Sequence, residues 1–383
     1  MNKLIKLPII NELKKALSQD LGHIQVILGP RQVGKTTAVL QYLENEHQGP
    51  YHYVSADKVF NGSASWLREQ WQIAAEKKAL LVVDEVQKVV NWAEVIKSQW
   101  DANKRNKTRF QCVLLGSSSL DLQKGLTESL TGRFKLIRAH HWNAHESKEG
   151  YGLDFEGFLK FGGYPGSYPF LPNTKEWASF VKHSIIETVI EKDILFNHTV
   201  KSPGLFKQAF EILVSYPAQE ISYTKLLGQL QDKGNTDLIK YYIRLYEGAF
   251  LIRTLDKYSG HAVKTRSSSP KILPLAPALF FLNLLDEYSA SERGRAFELV
   301  VGAQLVRTGM ELFYWREKNY EVDYVVKSGR TLWAIEVKSG RQRSALGLEK
   351  FKSAFPQAKL LMITPENYPL FESNPTSFLE GIG

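Results

Sequence analysis

Short, uninterrupted apolar runs alternate with longer amphipathic stretches through the first third of the chain. "HIQVILGPRQVGKTT" (23–37) reads as an apolar strand, a glycine loop and a helix. "YHYVS" (51–55) predicts a second strand, "ALLVVDE" (79–85) a third, "CVLLGSSS" (112–119) a fourth, and the end of "SLTGRFKLIR" (129–138) a fifth. Runs that are apolar at every position, rather than at alternate ones, fit strands covered on both faces of a parallel sheet. The first residues, "MNKLIKLPIINELKKAL", predict an amphipathic helix rather than a signal peptide.

The pattern changes beyond residue 150. "FLKFGGYPGSYPF" (158–170) supplies turn residues, and "FVKHSIIETVIEKDIL" (180–195) has apolar positions at helical spacing; both are expected to pack around the first region. Three helices follow: "LFKQAFEILVS", "SYTKLLGQL" capped by Ser222, and "NTDLIKYYIRLYEG" opened by Asn235 or Thr236. "AFLIRTLDKYSGHAVKTRSSSPKILPL" (249–275) then predicts strand, basic loop, strand. Three helices and a hairpin describe a winged helix, whose third helix enters a DNA groove in many such proteins. On that reading Lys240, Tyr241, Arg244, Lys264 and Arg266 are candidate nucleic-acid contacts. The last quarter predicts a helix containing Glu298, two strands with Asp323 in the second, a strand with Glu336 and Lys338, then a helix and a strand.

The chemistry of the first third is carried by spacing. Gly29, Gly34, Lys35 and Thr36 fit G-x-x-x-x-G-K-T between a strand and a helix. The loop Gly29, Pro30, Arg31, Gln32, Val33, Gly34, Lys35, Thr36 and Thr37 would wrap the phosphates of ATP. Lys35 would reach the β- and γ-phosphates, while Thr36 and Asp84 would hold Mg²⁺. Glu85 would orient the attacking water as general base. Ser117 or Ser118 would sense the γ-phosphate, and Arg133 would stabilise transition-state charge, in cis or from a neighbouring subunit. One strand between the loop and the acids, another after them, and a glutamate beside the metal aspartate form the AAA+ pattern. Simple small-molecule kinases lack that glutamate.

In the last quarter, Asp323-x₁₂-Glu336-x-Lys338 places an acid and a lysine on one face of a strand, beside a second acid. With Glu298, these carboxylates could hold one or two Mg²⁺, with Lys338 positioning water or neutralising phosphate. The order α-β-β-β-α-β is that of restriction-endonuclease-like nucleases. An ordinary salt bridge is the competing reading.

The segments "GPRQVGKTT", "LLVVDEVQKV", "LLGSSS", "SLTGR", "FGGYPGSY", "IIETVIEKDI", "GRAFELVV" and "WREKNYEVDYVV…WAIEVKSG" occur in order along nearly the whole chain. Together they resemble the prokaryotic AAA+-type ATPases whose C-terminal region resembles PD-(D/E)xK nucleases. The resemblance implies an α/β protein in three parts: an AAA+/ASCE-type P-loop core over 1–150, a helical linker and winged-helix-like domain over 151–285, and a restriction-endonuclease-like domain over 286–383. It also implies a cytosolic ATPase. One departure stands out. Where the family has a Pro-Leu-Ser-Phe-like segment and a glutamate, this chain has "HHWNAHE" (140–146), which affects how the domain junction packs.

Bulk properties narrow the function further. The 383 residues carry a net charge of +9, which permits a polyanionic partner. Lys104, Arg105, Lys107 and Arg109 cluster, as do Arg253, Lys257, Lys264, Arg266 and Lys271; each cluster reads either as a solvated loop or as a polyanion contact. No apolar run approaches the roughly 18 residues that span a bilayer. The single cysteine, Cys112, excludes an internal disulfide and fits a reducing cytoplasm. The expectation is an ATP- and Mg²⁺-dependent ATPase that binds, remodels or cuts nucleic acid, most simply DNA, with no membrane partner. It is either a monomer or a homo-oligomer of the ring-forming kind. The competing class is a nucleotide-gated switch acting on a protein partner, with an inactive nuclease-like domain.

Overall fold

The computed structural model describes residues 4–19, 22–58, 62–106, 110–117, 120–230, 235–260, 269–284, 288–340 and 345–381. The chain forms two compact units. The first comprises Leu4–His140 and Thr188–His198; the second comprises His141–Glu187 and the chain from Thr199 onward.

The first unit is built on five parallel strands: β1 Ile24–Gly29, β2 Tyr51–Ser55, β3 Leu80–Asp84, β4 Cys112–Ser117 and β5 Phe134–Arg138. Their order is β2-β3-β4-β1-β5. Every residue of β1 and β3 is buried, as uninterrupted apolar runs require. The helix Pro8–Ser18 buries Ile9, Ile10, Leu13, Ala16 and Leu17, which explains its amphipathic spacing. Because β4 inserts between β3 and β1, the turns that leave β1 and β3 flank the carboxyl end of β4. A crevice of this kind, at the carboxyl ends of a parallel sheet, is where α/β folds bind ligands.

The second unit contains β6 Gln219–Glu220, β7 Ile252–Lys257, β8 Lys271–Pro274, β9 Glu311–Glu317, β10 Tyr320–Ser328, β11 Thr331–Val337 and β12 Lys359–Ile363. They form one mixed sheet in the order β12-β11-β10-β9-β7-β8-β6. The helices Pro203–Val214, Tyr223–Gln229 and Thr236–Gly248 precede the β7–β8 hairpin. Ser222 and Asn235 cap the second and third, accepting from the amides of Lys225 and Leu238. Each cap is worth about 1 kcal/mol, and this is why the sequence marks these helix starts sharply. β11 alternates cleanly: Trp333 and Ile335 join one apolar cluster with Phe297, Tyr314 and Tyr324, while Leu332 and Ala334 join another with Trp315, Val325 and Phe351.

The hairpin ends at Pro274, but its sheet continues across the expected boundary of 285/286. β7 pairs in parallel with β9, Asp256 opposite Phe313 and Lys257 opposite Tyr314, so the regions before and after that point share one sheet. Among the described residues, no helix is long and apolar enough to cross a membrane.

The atypical "HHWNAHE" segment packs by an ionic device. Asn143 and Glu146 form a reciprocal capping box at the start of the helix Ala144–Tyr151. The Glu146 carboxylate also accepts two hydrogen bonds from Arg307, at 3.0 and 2.6 Å, and Arg307 donates to the His141 carbonyl at 3.2 Å. Glu146 is buried, so losing it strands a guanidinium. Glu146→Ala should cost about 3–5 kcal/mol, read as a lower urea midpoint, whereas Glu149→Ala on the same helix should change little. Equal midpoints for the two variants would show that the pair carries no stability.

Candidate functional site

β1 ends at Gly29, and the chain turns through Pro30–Gly34 into the helix Lys35–Asn45. Gly34 has φ 85°, in the left-handed region that glycine enters without strain. A side chain on Gly29 would place its Cβ 2.4 Å from the carbonyl oxygen of Ala139, so the close approach of the segment after β5 also demands glycine. The first amides of the new helix have no internal partner and form an anion-binding end. Val33 is buried, while Gln32 and Thr37 are exposed.

Lys35 is 8% exposed, and its Nζ donates to the carbonyls of Gly29 at 2.9 Å and Pro30 at 2.6 Å. Burial pushes its pKa down to about 8. The ammonium is held by carbonyl dipoles, without a carboxylate in contact among the described residues. The Thr36 hydroxyl donates to Asp84 Oδ2 at 2.7 Å, and the Tyr53 hydroxyl donates to the same oxygen at 2.9 Å. Asp84 Oδ1 accepts from the Glu85 amide at 2.9 Å. The end of β3 is thereby tied to the start of the helix after the loop. Glu85 has φ 52°, costly for a residue with a side chain and a frequent mark of functional sites. Its carboxylate accepts from the side-chain Nε2 of Gln87. Thr36 and Asp84 present hard oxygen donors suited to Mg²⁺, and the loop amides with Lys35 suit a polyphosphate.

Two contacts were not legible in the sequence. Tyr53 reaches Asp84 because β2 pairs with β3, Tyr53 opposite Val82. Arg31, inside the loop, makes two hydrogen bonds of 2.6 Å to Asp193. Asp193 is 4% exposed and lies in Val189–Leu195, a π-helical stretch of the segment that joins the first unit from far along the chain. π-Helical turns are rare and concentrate at functional sites.

Arg133 requires a correction. It precedes β5, which runs parallel to β1, with Phe134 opposite Ile24 at the start of that strand. The loop leaves the other end of β1, a strand length of roughly 17–20 Å away. Arg133 instead pairs with Asp101 at 3.0 and 3.2 Å and lies over the Trp100 ring, so it does not serve the loop of its own subunit. Ser118 lies outside the described residues, as do Lys264 and Arg266.

In the second unit two of the three acids expected to hold a metal, Glu298 and Asp323, converge around a lysine together with Glu321, while Glu336 pairs elsewhere. Lys271, the first residue of β8, is fully buried. Its Nζ donates to Glu298 Oε1 at 2.7 Å and to the Asp323 carbonyl at 3.2 Å, and lies 3.5 Å from Glu321 Oε1 and 3.9 Å from Asp323 Oδ1. Burial opposes this charge, but Glu298, Asp323 and Glu321 together raise the Lys271 pKa above its ordinary value. A bulge in β10 between Val322 and Val325 sets Asp323 and Tyr324 against Tyr314 of β9, which re-aims Asp323. Asp323 Oδ2 accepts from the Val337 amide at 2.8 Å. Glu336 turns to Lys338, at 2.5 Å. Burial pushes the Glu298 and Glu336 carboxyls above their ordinary range, with Asp323 adding to both, while Lys271 pulls Glu298 and Lys338 pulls Glu336 back toward the ionised form. Among the described residues, no group of three or more His, Cys, Asp or Glu is placed to hold a metal ion. The expected metal set of Glu298, Asp323 and Glu336 therefore does not fit a divalent cation in this arrangement.

Of the candidate nucleic-acid contacts, Arg244 is exposed. Lys240 is half-buried, 3.4 Å from Asp237 and over the Tyr223 ring, and the Tyr241 hydroxyl donates to the Thr199 carbonyl at 3.4 Å.

Comparison with known proteins agrees with this division of chemistry. Residues 22–148 match the AAA domain family. This is the span that carries the glycine loop, Asp84 and Glu85. Residues 153–284 match a domain of unknown function (DUF8612), and residues 293–377 match another (DUF4143). An uncharacterized protein of Methanocaldococcus jannaschii is 26% identical over 345 residues, covering 82% of this chain and 75% of its own. One of Mycobacterium tuberculosis is 27% identical over 335 residues, covering 85% and 72%. Among solved structures, the Aeropyrum pernix ORC1 protein in complex with DNA is 11% identical with a TM-score of 0.32, over 73% of this chain and 91% of its own. The Thermotoga maritima RuvB Holliday junction branch migration motor is 15% identical with a TM-score of 0.33, over 63% and 88%. Both scores are too low to carry a structural argument.

Asp193→Ala should cost about 3 kcal/mol by leaving Arg31 unpaired, and Arg31→Leu combined with Asp193→Ala should cost less than the sum of the two. A strictly additive double-mutant cycle, measured by denaturant midpoint, would show that the two residues are not coupled. Lys35 gives a pH test. Bound phosphates favour its ammonium, whereas the nucleotide-free pKa is about 8. ATP affinity should hold below that pH and fall by up to about tenfold per unit above it. Lys35→Arg should flatten this calorimetric profile, and a slope retained in that variant would assign the titration elsewhere.

Proposed function

We propose that this protein binds and hydrolyses ATP with Mg²⁺ in its first unit and couples its nucleotide state to the binding or remodelling of DNA. The observation that carries the ATP reading is the contact between Thr36 and Asp84 at the mouth of the glycine loop. The loop amides and Lys35 would hold the β- and γ-phosphates, and Thr36 with Asp84 would hold the metal. Bound magnesium supplies charge neutralisation on the phosphates. Glu85 would accept a proton from the attacking water, with Gln87 setting the orientation of its carboxylate. Tyr53, donating to Asp84, fixes the orientation of that carboxylate beside Thr36.

The DNA reading is supported by the +9 charge and by the order helix, short strand, helix, helix, hairpin in the second unit. That order is the one a winged helix has, with Lys240, Tyr241 and Arg244 on its third helix. Cleavage is not part of the proposal, because Lys271 occupies the acid cluster. The same observation favours a second reading: a nucleotide-gated switch that acts on a protein partner and uses the second unit as a scaffold.

Lys35→Ala should abolish ATP binding, and Glu85→Gln should trap bound ATP with turnover reduced by at least about a hundredfold. Normal turnover in Glu85→Gln would remove the general-base assignment. DNA should stimulate wild-type turnover, and Lys240→Glu with Arg244→Glu should weaken DNA binding and flatten its salt dependence. Absence of DNA binding, alongside a partner protein retained only by ATP-bound chains, would decide for the switch.

A further inference from the structure

We propose that Lys271 is a permanent internal cation that fills the place a divalent metal would take among Glu298, Glu321 and Asp323, so that the second unit neither binds a catalytic metal nor cuts a phosphodiester. The proposal deepens the DNA reading by assigning the second unit to holding, and it does not depend on ATP chemistry in the first.

Three observations carry it. The ammonium is anchored. Lys271 belongs to β8, paired with Leu255 of β7 on one side and Glu220 of β6 on the other, and it is 0% exposed. A side chain rooted in a paired strand has no solvent into which to swing. The ammonium is also well satisfied: Glu298 at 2.7 Å, the Asp323 carbonyl at 3.2 Å, Glu321 at 3.5 Å, and the face of Tyr324 with its ring centre 5.2 Å away. A cation–π contact of this kind favours a monovalent ammonium.

Asp323, finally, is committed at both oxygens and Glu336 at one. One oxygen of Asp323 accepts the Val337 amide and the other faces Lys271 at 3.9 Å. Glu336 Oε1 pairs with Lys338, and Glu336 Oε2 is buried with no hydrogen-bond partner among the described residues. Mg²⁺ requires several oxygens at about 2.1 Å around one point. Among Glu298, Glu321 and Asp323 that point is where the Lys271 nitrogen stands, 2.7, 3.5 and 3.9 Å from their carboxylate oxygens, and both cannot occupy it.

The test is Mn²⁺ binding to the full chain without nucleotide, followed by electron paramagnetic resonance, with Asp84→Asn marking any ion held by the first unit. Wild type should show no Mn²⁺ that Asp323→Asn removes, and should leave plasmid DNA intact with Mg²⁺ or Mn²⁺. Lys271→Met, which keeps the length of the side chain, should gain one site at least about tenfold tighter than any in wild type, lost again on adding Asp323→Asn. A folded Lys271→Met that gains no site would overturn the proposal. So would a wild-type Mn²⁺ site that Asp323→Asn abolishes and Asp84→Asn leaves in place; this comparison decides the matter even if Lys271→Met fails to fold. Neither result bears on ATP binding, which is read separately through Lys35→Ala.

Discussion

An ammonium group taken out of water must be surrounded by oxygen, and two lysines impose that constraint on the two units. Lys35 meets it with the carbonyls of Gly29 and Pro30, and its pKa falls to about 8. Lys271 meets it with Glu298, Glu321 and Asp323, and its pKa rises. The same side chain is under-neutralised in one unit and fully neutralised in the other. The first arrangement gains from an arriving anion; the second has nothing further to gain. The glycine loop, the Thr36–Asp84 contact and the strained Glu85 all gather around the first lysine. The β10 bulge, the helix Ala290–Arg307 and the start of β8 gather around the second.

Local chemistry made much of this readable in advance. The glycine loop, the acids closing β3 and the caps at Ser222 and Asn235 each depend on residues within a few positions of one another. The five strands of the first unit follow the order of the apolar runs, whereas the insertion of β4 between β3 and β1 is set by the fold. Arg31 and Asp193 stand 162 positions apart, and no periodicity in "VIEKDIL" distinguishes an aspartate that reaches a loop from one that faces water. Lys271 read as one member of a basic loop cluster, because a linear pattern does not reveal that the strand beginning there is covered on both sides. The bulge at Asp323 likewise defeats simple alternation, which assumes an unbroken ladder. For Arg133, open in the sequence between cis and trans, the cis alternative fails because its strand starts, rather than ends, where it sits.

The two domains of unknown function matched along the second unit are not structurally separate. Asp256 lies in the span 153–284 and Phe313 in the span 293–377, and they face each other across β7 and β9. Apart from Thr188–His198, which joins the first unit, both spans lie in one compact unit. A change in β7 therefore alters the edge available to β9.

That shared edge is short, two facing residue pairs in parallel register followed by the Tyr258 amide donating to the Tyr314 carbonyl. Backbone pairing of such limited length is a weak seam. Lys271 crosses it, running from β8 to Glu298 on a helix and to Asp323 on β10, and so works as a rivet between the halves of the sheet. A fragment holding residues 293–377 alone would bare the β9 edge to other chains and leave its buried carboxylates without their cation. Self-association through that bared strand is the behaviour to expect of the isolated piece.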